Sequence, residues 1–314
     1  MKDAYGREMQ YLRLSVTDLC DLRCRYCMPA EGVCKLRHED VLTEDEMLAA
    51  VEAAASLGVR KLRITGGEPL LKKNLLSLCR RTAAVPGIDE VCLTTNGRLL
   101  PALAKPLREA GVRRLNLSLD TLRPGTYRKL TRREPPEDLL AGLHAALDAG
   151  FDKIKLNVVL LGGWNEDEIP ALAALTKTYP IDVRFIERMP LADDPLLADA
   201  YLPADVVLQA LPELQPERAE GVARLYRLPG AQGRIGLISP ISTPFCASCD
   251  RLRLTADGHL RPCLHSALEY PLKGLSRAEM VEAMKTAIWN KPRCHALSPA
   301  GGSGAGRTMN TIGG

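Results

Sequence analysis

Cys20-Asp21-Leu22-Arg23-Cys24-Arg25-Tyr26-Cys27 is a C-x3-C-x2-C loop that directly follows the alternating run at 12–16. Three thiolates on so short a loop can ligate three irons of a cubane iron–sulfur cluster, in which each of the four irons needs an outside ligand. The remaining iron is open to a small molecule with chelating nitrogen and oxygen atoms. A structural zinc site needs four nitrogen or sulfur ligands, and His38, the nearest candidate fourth ligand, is 11 residues downstream without a zinc-finger spacing. The loop therefore predicts a redox cluster with one open coordination site.

The composition is that of an ordinary globular protein. Of 314 residues, 46% are hydrophobic and 25% are charged, which argues against a disordered or membrane class. The formal net charge of +4 is too small to indicate nucleic-acid binding by itself. No run approaches the roughly 18 apolar residues of a membrane helix, and the first residues lack a signal-peptide core. Six of the ten cysteines form two groups of three, which suits metal ligation in a reducing compartment, so we expect a cytoplasmic protein.

Six strand-like runs alternate with amphipathic helical segments along the first part of the chain. The runs are 12–17, 61–65, 90–95, 114–119, 153–159 and 181–187, and the helical segments are 43–57, 74–84, 99–110, 136–149 and 166–178. This alternation is typical of parallel βα units. Six units rather than eight predict an α/β fold, an incomplete (βα)6 TIM-like barrel that is open along one side. Its functional face should lie at the carboxyl ends of the strands.

Polar residues gather where those strands end, although buried parallel strands are normally apolar. Gly66-Gly67-Glu68-Pro69 follows the second strand. Its glycines would let the backbone approach a ligand closely, and Glu68 offers an acceptor to an ammonium group. The same four residues can equally form an ordinary turn between strand and helix, and an isolated Thr or Asp often only caps a helix.

A second region follows a Pro- and Asp-rich connector that begins at residue 190. We expect three parts: the barrel over 1–189, a C-terminal α+β region over 190–299 that covers the barrel opening, and a flexible Gly-rich tail over 300–314. The second region carries a C-x2-C-x13-C triad, Cys246, Cys249 and Cys263. This triad can hold a second cluster, or zinc with His259 or His265 as the fourth ligand. Together with the first loop, it favours two incompletely ligated clusters, one starting a radical and one holding a substrate.

Cations recur on the predicted strands. Arg251 and Arg253 share one face of an extended segment, and paired guanidinium groups suit phosphate oxygens. Further cations lie on or near barrel strands, namely Arg13, Arg63, Lys155 and Arg184. Because a lone buried charge is costly, several together indicate a polyanion between them. The alternative is that they are solvated or pair with Asp and Glu.

The cysteine loop with Tyr26 before its last cysteine, followed by Gly-Gly-Glu-Pro, resembles the radical S-adenosylmethionine (SAM) enzymes. Within them, the chain resembles the GTP-cyclising family of molybdenum cofactor biosynthesis. The motifs that carry this likeness are 12–18, 64–71, 93–97, 116–120, 184–187, 245–254 and the terminal Gly-Gly. Leu19, Asp21 and Lys72 depart from residues that relatives often carry, which affects local contacts rather than the reaction class.

The resemblance implies two [4Fe–4S] clusters, one held by Cys20, Cys24 and Cys27 with SAM on its open iron, the other held by Cys246, Cys249 and Cys263 with guanine at its open iron. The SAM contacts that it implies are Tyr26, Gly67, Glu68, Ser118 and Met189. The GTP contacts that it implies are Arg13, Arg63, Thr94, Lys155, Arg184, Arg251, Leu252 and Arg253. The catalytic group that it implies comprises Arg13, Arg251 and Arg253 with Gly313 and Gly314, which reach into the site.

The reaction implied by the resemblance begins with reductive cleavage of SAM. The resulting 5′-deoxyadenosyl radical removes the C3′ hydrogen of GTP, and C3′ then attacks C8 of the guanine. The implied partners are a flavodoxin- or ferredoxin-like donor and a downstream cyclic pyranopterin monophosphate synthase, and a homodimer is one expected state. Two alternatives stay open: a two-cluster radical SAM enzyme that modifies a peptide or another substrate, and a zinc- or cluster-stabilised protein that binds nucleic acid.

Overall fold

The structure, a computed structural model, describes residues 1–191, 199–299 and 303–313. Six parallel strands form the centre of one sheet in the order β1-β2-β3-β4-β5-β6. Their bounds are β1 Tyr11–Ser15, β2 Lys61–Thr65, β3 Glu90–Thr95, β4 Val112–Ser118, β5 Lys153–Leu160 and β6 Asp182–Glu187. The predicted six-strand parallel barrel sheet is therefore confirmed.

Helices connect these strands. Their bounds are α1 Glu44–Ser56, α2 Leu75–Ala83, α3 Leu100–Glu109, α4 Pro124–Thr131, α5 Ala141–Asp148 and α6 Ile169–Thr178. Thr43 begins α1 with a capping box, because its hydroxyl accepts from the Glu46 N–H while the Glu46 carboxylate accepts from the Thr43 N–H at 2.8 Å.

The helices differ from the sequence-based expectation in two places. The first is α4, which was not predicted, although Pro124 occupies its first turn, a position that favours proline. The second is the segment 136–149, whose helix begins only at Ala141. The extra helix lies between β4 and β5 and ends beside the first cysteine loop.

The barrel sheet has one apolar and one polar face because side chains alternate along each strand. Along β5, Ile154, Leu156 and Val158 join the main core, so Lys153 and Lys155 lie on the opposite, interior face. The same alternation in the other strands gives the barrel a charged and polar interior.

The C-terminal region extends this sheet at both edges. At one edge, β9 (Ile235–Ile238) pairs parallel with β6 and continues into β8 (Ala223–Arg227) and β7 (Gln215–Glu220). At the other edge, β10 (Arg251–Leu254) pairs parallel with β1 and continues into β11 (His259–Arg261) and β12 (Tyr270–Pro271). The remaining helices are α7 Val206–Ala210, α8 Arg277–Trp289 and α9 Met309–Ile312. Within the described ranges, no helix is both long and apolar enough to cross a bilayer.

Candidate active site

The first cysteine loop leaves β1 and is fastened to the end of α4. The backbone N–H of Arg23 donates to Thr131 O at 2.9 Å, and that of Arg25 donates to Leu130 O at 3.1 Å. Within the loop, the Cys27 N–H donates to Cys24 O at 2.9 Å. These bonds fix the loop at the carboxyl end of the barrel.

The three thiols of this loop fit a cubane cluster. Burial raises the pKa of Cys20 to about 11 and that of Cys27 to about 12, and it raises the pKa of Cys24 well above its usual range. The thiols also influence one another electrostatically, so they face a common space. Since a ligand must be a thiolate, an iron core has to supply the compensating positive charge. In the described parts of the chain, no group of three or more His, Cys, Asp or Glu side chains has the spacing to hold a single metal ion.

The Gly-Gly-Glu-Pro turn lies against this loop. Gly67 N–H donates to Thr17 O and Glu68 N–H donates to Leu19 O, each at 2.7 Å. A Cβ on Gly67 would overlap Leu19 O, so this approach requires glycine.

Glu68 joins two of the loops at the carboxyl edge. Its carboxylate accepts from Thr95 Oγ1 at 2.7 Å, from Asn96 N at 2.7 Å and from Leu70 N at 3.0 Å. Burial raises its pKa to about 7. The predicted contact with an ammonium group stays a prediction, and the hydrogen bonds add a structural role that the sequence analysis missed.

Tyr26 is held from across the barrel by Asp120. Its hydroxyl donates to Asp120 Oδ2 at 2.7 Å, and Val159 N–H donates to Asp120 Oδ1 at 2.8 Å. Burial raises the pKa of Asp120 to about 6. Ser118 ends β4 beside Asn157 in register, so these polar groups share the upper end of the barrel interior.

An arginine cluster fills the interior next to β1. In register, Arg13 lies between Arg63 on β2 and Arg253 on β10. Burial lowers the pKa of Arg13 to about 10, and the charges of Arg63 and Arg251 act in the same direction. Tyr11 lies among them, accepting a hydrogen bond from Arg63 Nε, with its ring 5.7 Å from the Arg251 guanidinium.

This cluster has the character of an anion site. Although burial raises the pKa of Tyr11, the positive charges of Arg63, Arg13 and Arg251 outweigh burial and lower it. Among the described residues, no ion pair joins Arg63, Arg251 or Arg253 to a carboxylate. Thr94 lies at the edge of this cluster, with its Oγ1 3.5 Å from Arg63 Nη1. Leu252 instead faces the apolar core, so only its backbone is available to a ligand.

The second cysteine triad lies at the opposite end of the strands. Cys249 immediately precedes the Asp250–Arg251 entry into β10, which runs parallel to β1, and Cys263 follows the antiparallel β11 back to the same end. A five-residue strand such as β1 spans about 17 Å at about 3.3 Å per residue. The arginine cluster therefore lies between the two triads.

Both histidines considered as a fourth ligand of the second triad have partners among other side chains. His259 pairs with Asp257 at 3.2 Å, and His265 stacks edge-on with His295 at 5.1 Å. Burial raises the pKa of Cys246 to about 11, and the neighbouring Cys294 thiol acts in the same direction. Of the remaining cysteines, Cys34 and Cys294 are exposed, whereas Cys79 and Cys92 are buried.

The C-terminal segment enters the barrel between the triads. The Asn310 backbone lies next to the Cys27 thiol, where it opposes the rise of the Cys27 pKa. Ile312 is buried, and the carbonyl of Gly313 accepts from Arg253 Nη1 at 2.7 Å. Met189 packs against the same segment. Two arginines fasten it further back, with Arg261 donating to Ala305 O at 2.9 Å and Arg307 to Asp257 at 2.8 Å. Gly314 lies outside the described residues.

Two of the predicted GTP contacts stand apart from the arginine cluster. Lys155 and Arg184 lie on β5 and β6, where they pair with Glu220 at 2.9 Å and with Asp182 at 3.3 Å respectively. These two cations therefore pair with acidic residues, which is the alternative given in the sequence analysis. Glu220 could not be predicted from the sequence, because a single carboxylate in a polar hairpin gives no signal.

Comparisons with known proteins agree with this geometry. Residues 14–176 match the radical SAM superfamily, and residues 181–297 match Molybdenum Cofactor Synthesis C. The chain is similar to a GTP 3′,8-cyclase of Alkaliphilus oremlandii, with 43% identity, and to one of Pelotomaculum thermopropionicum, with 47% identity, each match covering 100% of both chains.

Among solved structures, it is similar to Streptococcus suis SuiB bound to S-adenosylmethionine, with a TM-score of 0.61 and 15% identity over 91% of this chain and 64% of SuiB. At that identity the likeness concerns the fold alone. The sequence matches and the shared fold together lead to one conclusion: the chain belongs to the radical SAM superfamily and, within it, to the family of the GTP 3′,8-cyclases.

Proposed function

We propose that this protein is a GTP 3′,8-cyclase, a radical SAM lyase that converts GTP to (8S)-3′,8-cyclo-7,8-dihydroguanosine 5′-triphosphate in the first step of molybdenum cofactor biosynthesis. The single observation that carries the proposal is the buried arginine cluster between two cysteine triads at opposite ends of the same strands. This arrangement suits a polyanionic substrate that reaches from one metal centre toward the other.

Cys20, Cys24 and Cys27 would hold the first [4Fe–4S] cluster, which would provide the electron for reductive cleavage of SAM. Gly67 is the residue that lets the neighbouring turn approach this loop. Tyr26, Ser118 and Met189 would contact SAM, and their positions at the carboxyl edge of the barrel support that role.

Cys246, Cys249 and Cys263 would hold the second cluster at the other end of the barrel. Arg251 stands directly beside this triad in sequence, and its guanidinium lies 5.7 Å from the ring of Phe245. An open iron here would leave room for the guanine, so Cys294 would lie beside the second cluster without ligating it.

The arginines would bind and orient GTP. Guanidinium groups make paired hydrogen bonds to phosphate oxygens. Because these guanidinium groups are buried, a bound anion would balance their positive charge. Arg253 would also position the C-terminal Gly-Gly, because it already binds the Gly313 carbonyl.

The protein's own contribution is orientation and exclusion of water rather than acid–base catalysis. None of the five histidines lies on strands β1–β6, so the proposal assigns no role to a general base on those strands. Ile312 and Gly313 close the space between the triads, which would shield a carbon radical from solvent.

Anaerobic reconstitution followed by turnover tests the proposal. Two cubane clusters predict about eight irons per chain, and incubation with SAM, a reductant and GTP should release 5′-deoxyadenosine together with the cyclised nucleotide. If a peptide supports that release while GTP does not, the alternative of a peptide-modifying radical SAM enzyme is correct instead.

We further propose a cytoplasmic enzyme that receives electrons from a flavodoxin- or ferredoxin-like protein and passes its product to cyclic pyranopterin monophosphate synthase. A homodimer is the proposed assembly. The proposed division is a barrel over 1–189, a C-terminal region over 190–299 and a tail over 300–314, and the edge strands β9 and β10 support a close association of the first two parts.

A further inference from the structure

One carboxylate in the barrel is surrounded by four cations. These cations, here called the Glu220 cations, are Lys153, Lys155, Arg184 and Arg234. One oxygen of Glu220 lies 2.9 Å from Lys155 Nζ and 3.6 Å from Arg184 Nη2. The other oxygen lies 2.8 Å from Arg234 Nη2 and 3.1 Å from Lys153 Nζ. The two oxygens of Glu220 thus contact the four cations in the way that the oxygens of a phosphate group would.

The local charge does not balance without a further anion. In the part of the chain that the structure describes, Asp182 is the other acidic residue that pairs with these cations, and it lies 3.0 Å from Arg234 and 3.1 Å from Lys153. Four positive and two negative groups leave two positive charges in excess. The side chains of Lys155 and Arg184 are only 14% and 5% exposed, so this excess is held where solvent screens it poorly.

The two carboxylates differ in how firmly they are held. Asp182 is part of β6, and its side chain is 6% exposed, whereas the Glu220 side chain is 37% exposed. Glu220 ends β7, and the register of the β7–β8 hairpin shifts between Glu217 and Glu220. Glu220 is therefore the carboxylate that can leave without disturbing the core.

We propose that Glu220 is an internal competitor of the substrate: its carboxylate occupies the Glu220 cations in the free enzyme, and the triphosphate of GTP displaces it. Lys153 and Arg234 thereby become phosphate contacts in addition to Lys155 and Arg184. This inference rests on the proposed function, because it takes GTP as the ligand.

The competitor has two consequences. It keeps the site charged before substrate arrives: burial lowers the pKa of Lys155 to about 8, and the hydrogen bond that Lys155 donates to Glu220 opposes that shift. It also makes binding depend on the phosphate chain, since only a ligand with enough negative charge to replace the carboxylate gains these contacts. Glu220 would thus select GTP over GMP and guanosine.

Equilibrium binding to the anaerobically reconstituted holoenzyme tests the proposal. Since the apparent dissociation constant rises as the competent fraction falls, Glu220→Gln should tighten GTP binding by about tenfold and leave guanosine binding unchanged. Glu220→Asp keeps the charge but shortens the reach, so it should also tighten GTP binding, which a simple effect of net charge would not produce.

Glu217→Gln is the matched control, because Glu217 lies on the same strand and pairs elsewhere, with Arg227. Equal GTP affinity in Glu220→Gln and Glu217→Gln would overturn the proposal. Weaker GTP binding in Glu220→Gln would also overturn it, since that result marks Glu220 as a fixed structural partner of the cations. If wild-type holoenzyme binds no GTP at all, the proposed function itself is wrong, so the two failures are distinguishable.

Discussion

Gly313→Ala tests whether the C-terminal segment must lie inside the barrel. Gly313 has a φ of +90°, and an added Cβ would lie 2.7 Å from Thr65 Oγ1 and 2.8 Å from Ser15 Cβ. A left-handed backbone costs an L-residue about 1–2 kcal/mol, and overfilling a packed site costs about 1–3 kcal/mol. Together these weaken docking of the segment by about 2–5 kcal/mol, which is on the order of 30- to 4,000-fold in the docking equilibrium.

Hydrogen exchange of the segment 305–312 measures this loss, since local opening sets the exchange rate of a protected amide. Ile312 is 1% exposed in the docked segment, and its amide should exchange faster by the factor given above. Iron content should not change, because the segment supplies no cluster ligand, while cyclisation of GTP should be lost.

Gly306→Ala is the matched control for this variant. Gly306 also has a positive φ, +63°, but no atom lies within 4 Å of its added Cβ, so only the backbone cost applies. If the Ile312 amide exchanges at the same rate in Gly313→Ala and Gly306→Ala, contact with Ser15 and Thr65 is not the reason why position 313 requires glycine. That result would refute the reasoning.

Three further predictions concern the clusters and the Gly-Gly-Glu-Pro turn. Gly67→Ala should cost about four of about eight irons, because its Cβ would overlap Leu19 O; unchanged iron would contradict this packing. Cys294→Ala should keep full iron content, whereas Cys263→Ala should lose the second cluster; iron loss in Cys294→Ala would mean that protein ligands close the second cluster. Since burial raises the Glu68 pKa from 4.5 to about 7, the free energy of unfolding should fall as pH rises through that window, and urea denaturation of Glu68→Gln should show a flatter pH dependence.

The barrel could be predicted from the sequence because its strands and helices are specified by residues close together in the chain. Each of the six strand runs alternates or is β-branched, and the helices between them carry caps and glycine stops, as Thr43 and Gly58 do for α1. The pairing of β9 and β10 with the barrel edges could not be predicted in this way. Those contacts join residues far apart in the chain, and periodicity gives no information on which edge a strand selects.

The candidate site, like the fold, could be predicted from the sequence only in part. The cysteine triads and the Arg251–Arg253 face follow from spacing, and spacing is visible in the sequence. Tyr11 among the arginines and Asp120 bonded to Tyr26 became evident only from the fold. The tail shows the limit most clearly, since a Gly-rich composition predicts flexibility, whereas Ile312 in its described part is buried.

Transfer of deuterium from GTP labelled at C3′ tests the central claim most directly. If this protein removes the C3′ hydrogen of GTP, the 5′-deoxyadenosine formed with labelled GTP should carry one deuterium, and the cyclised nucleotide should have lost it. Unlabelled 5′-deoxyadenosine, formed at the same rate whether or not GTP is present, would contradict the account.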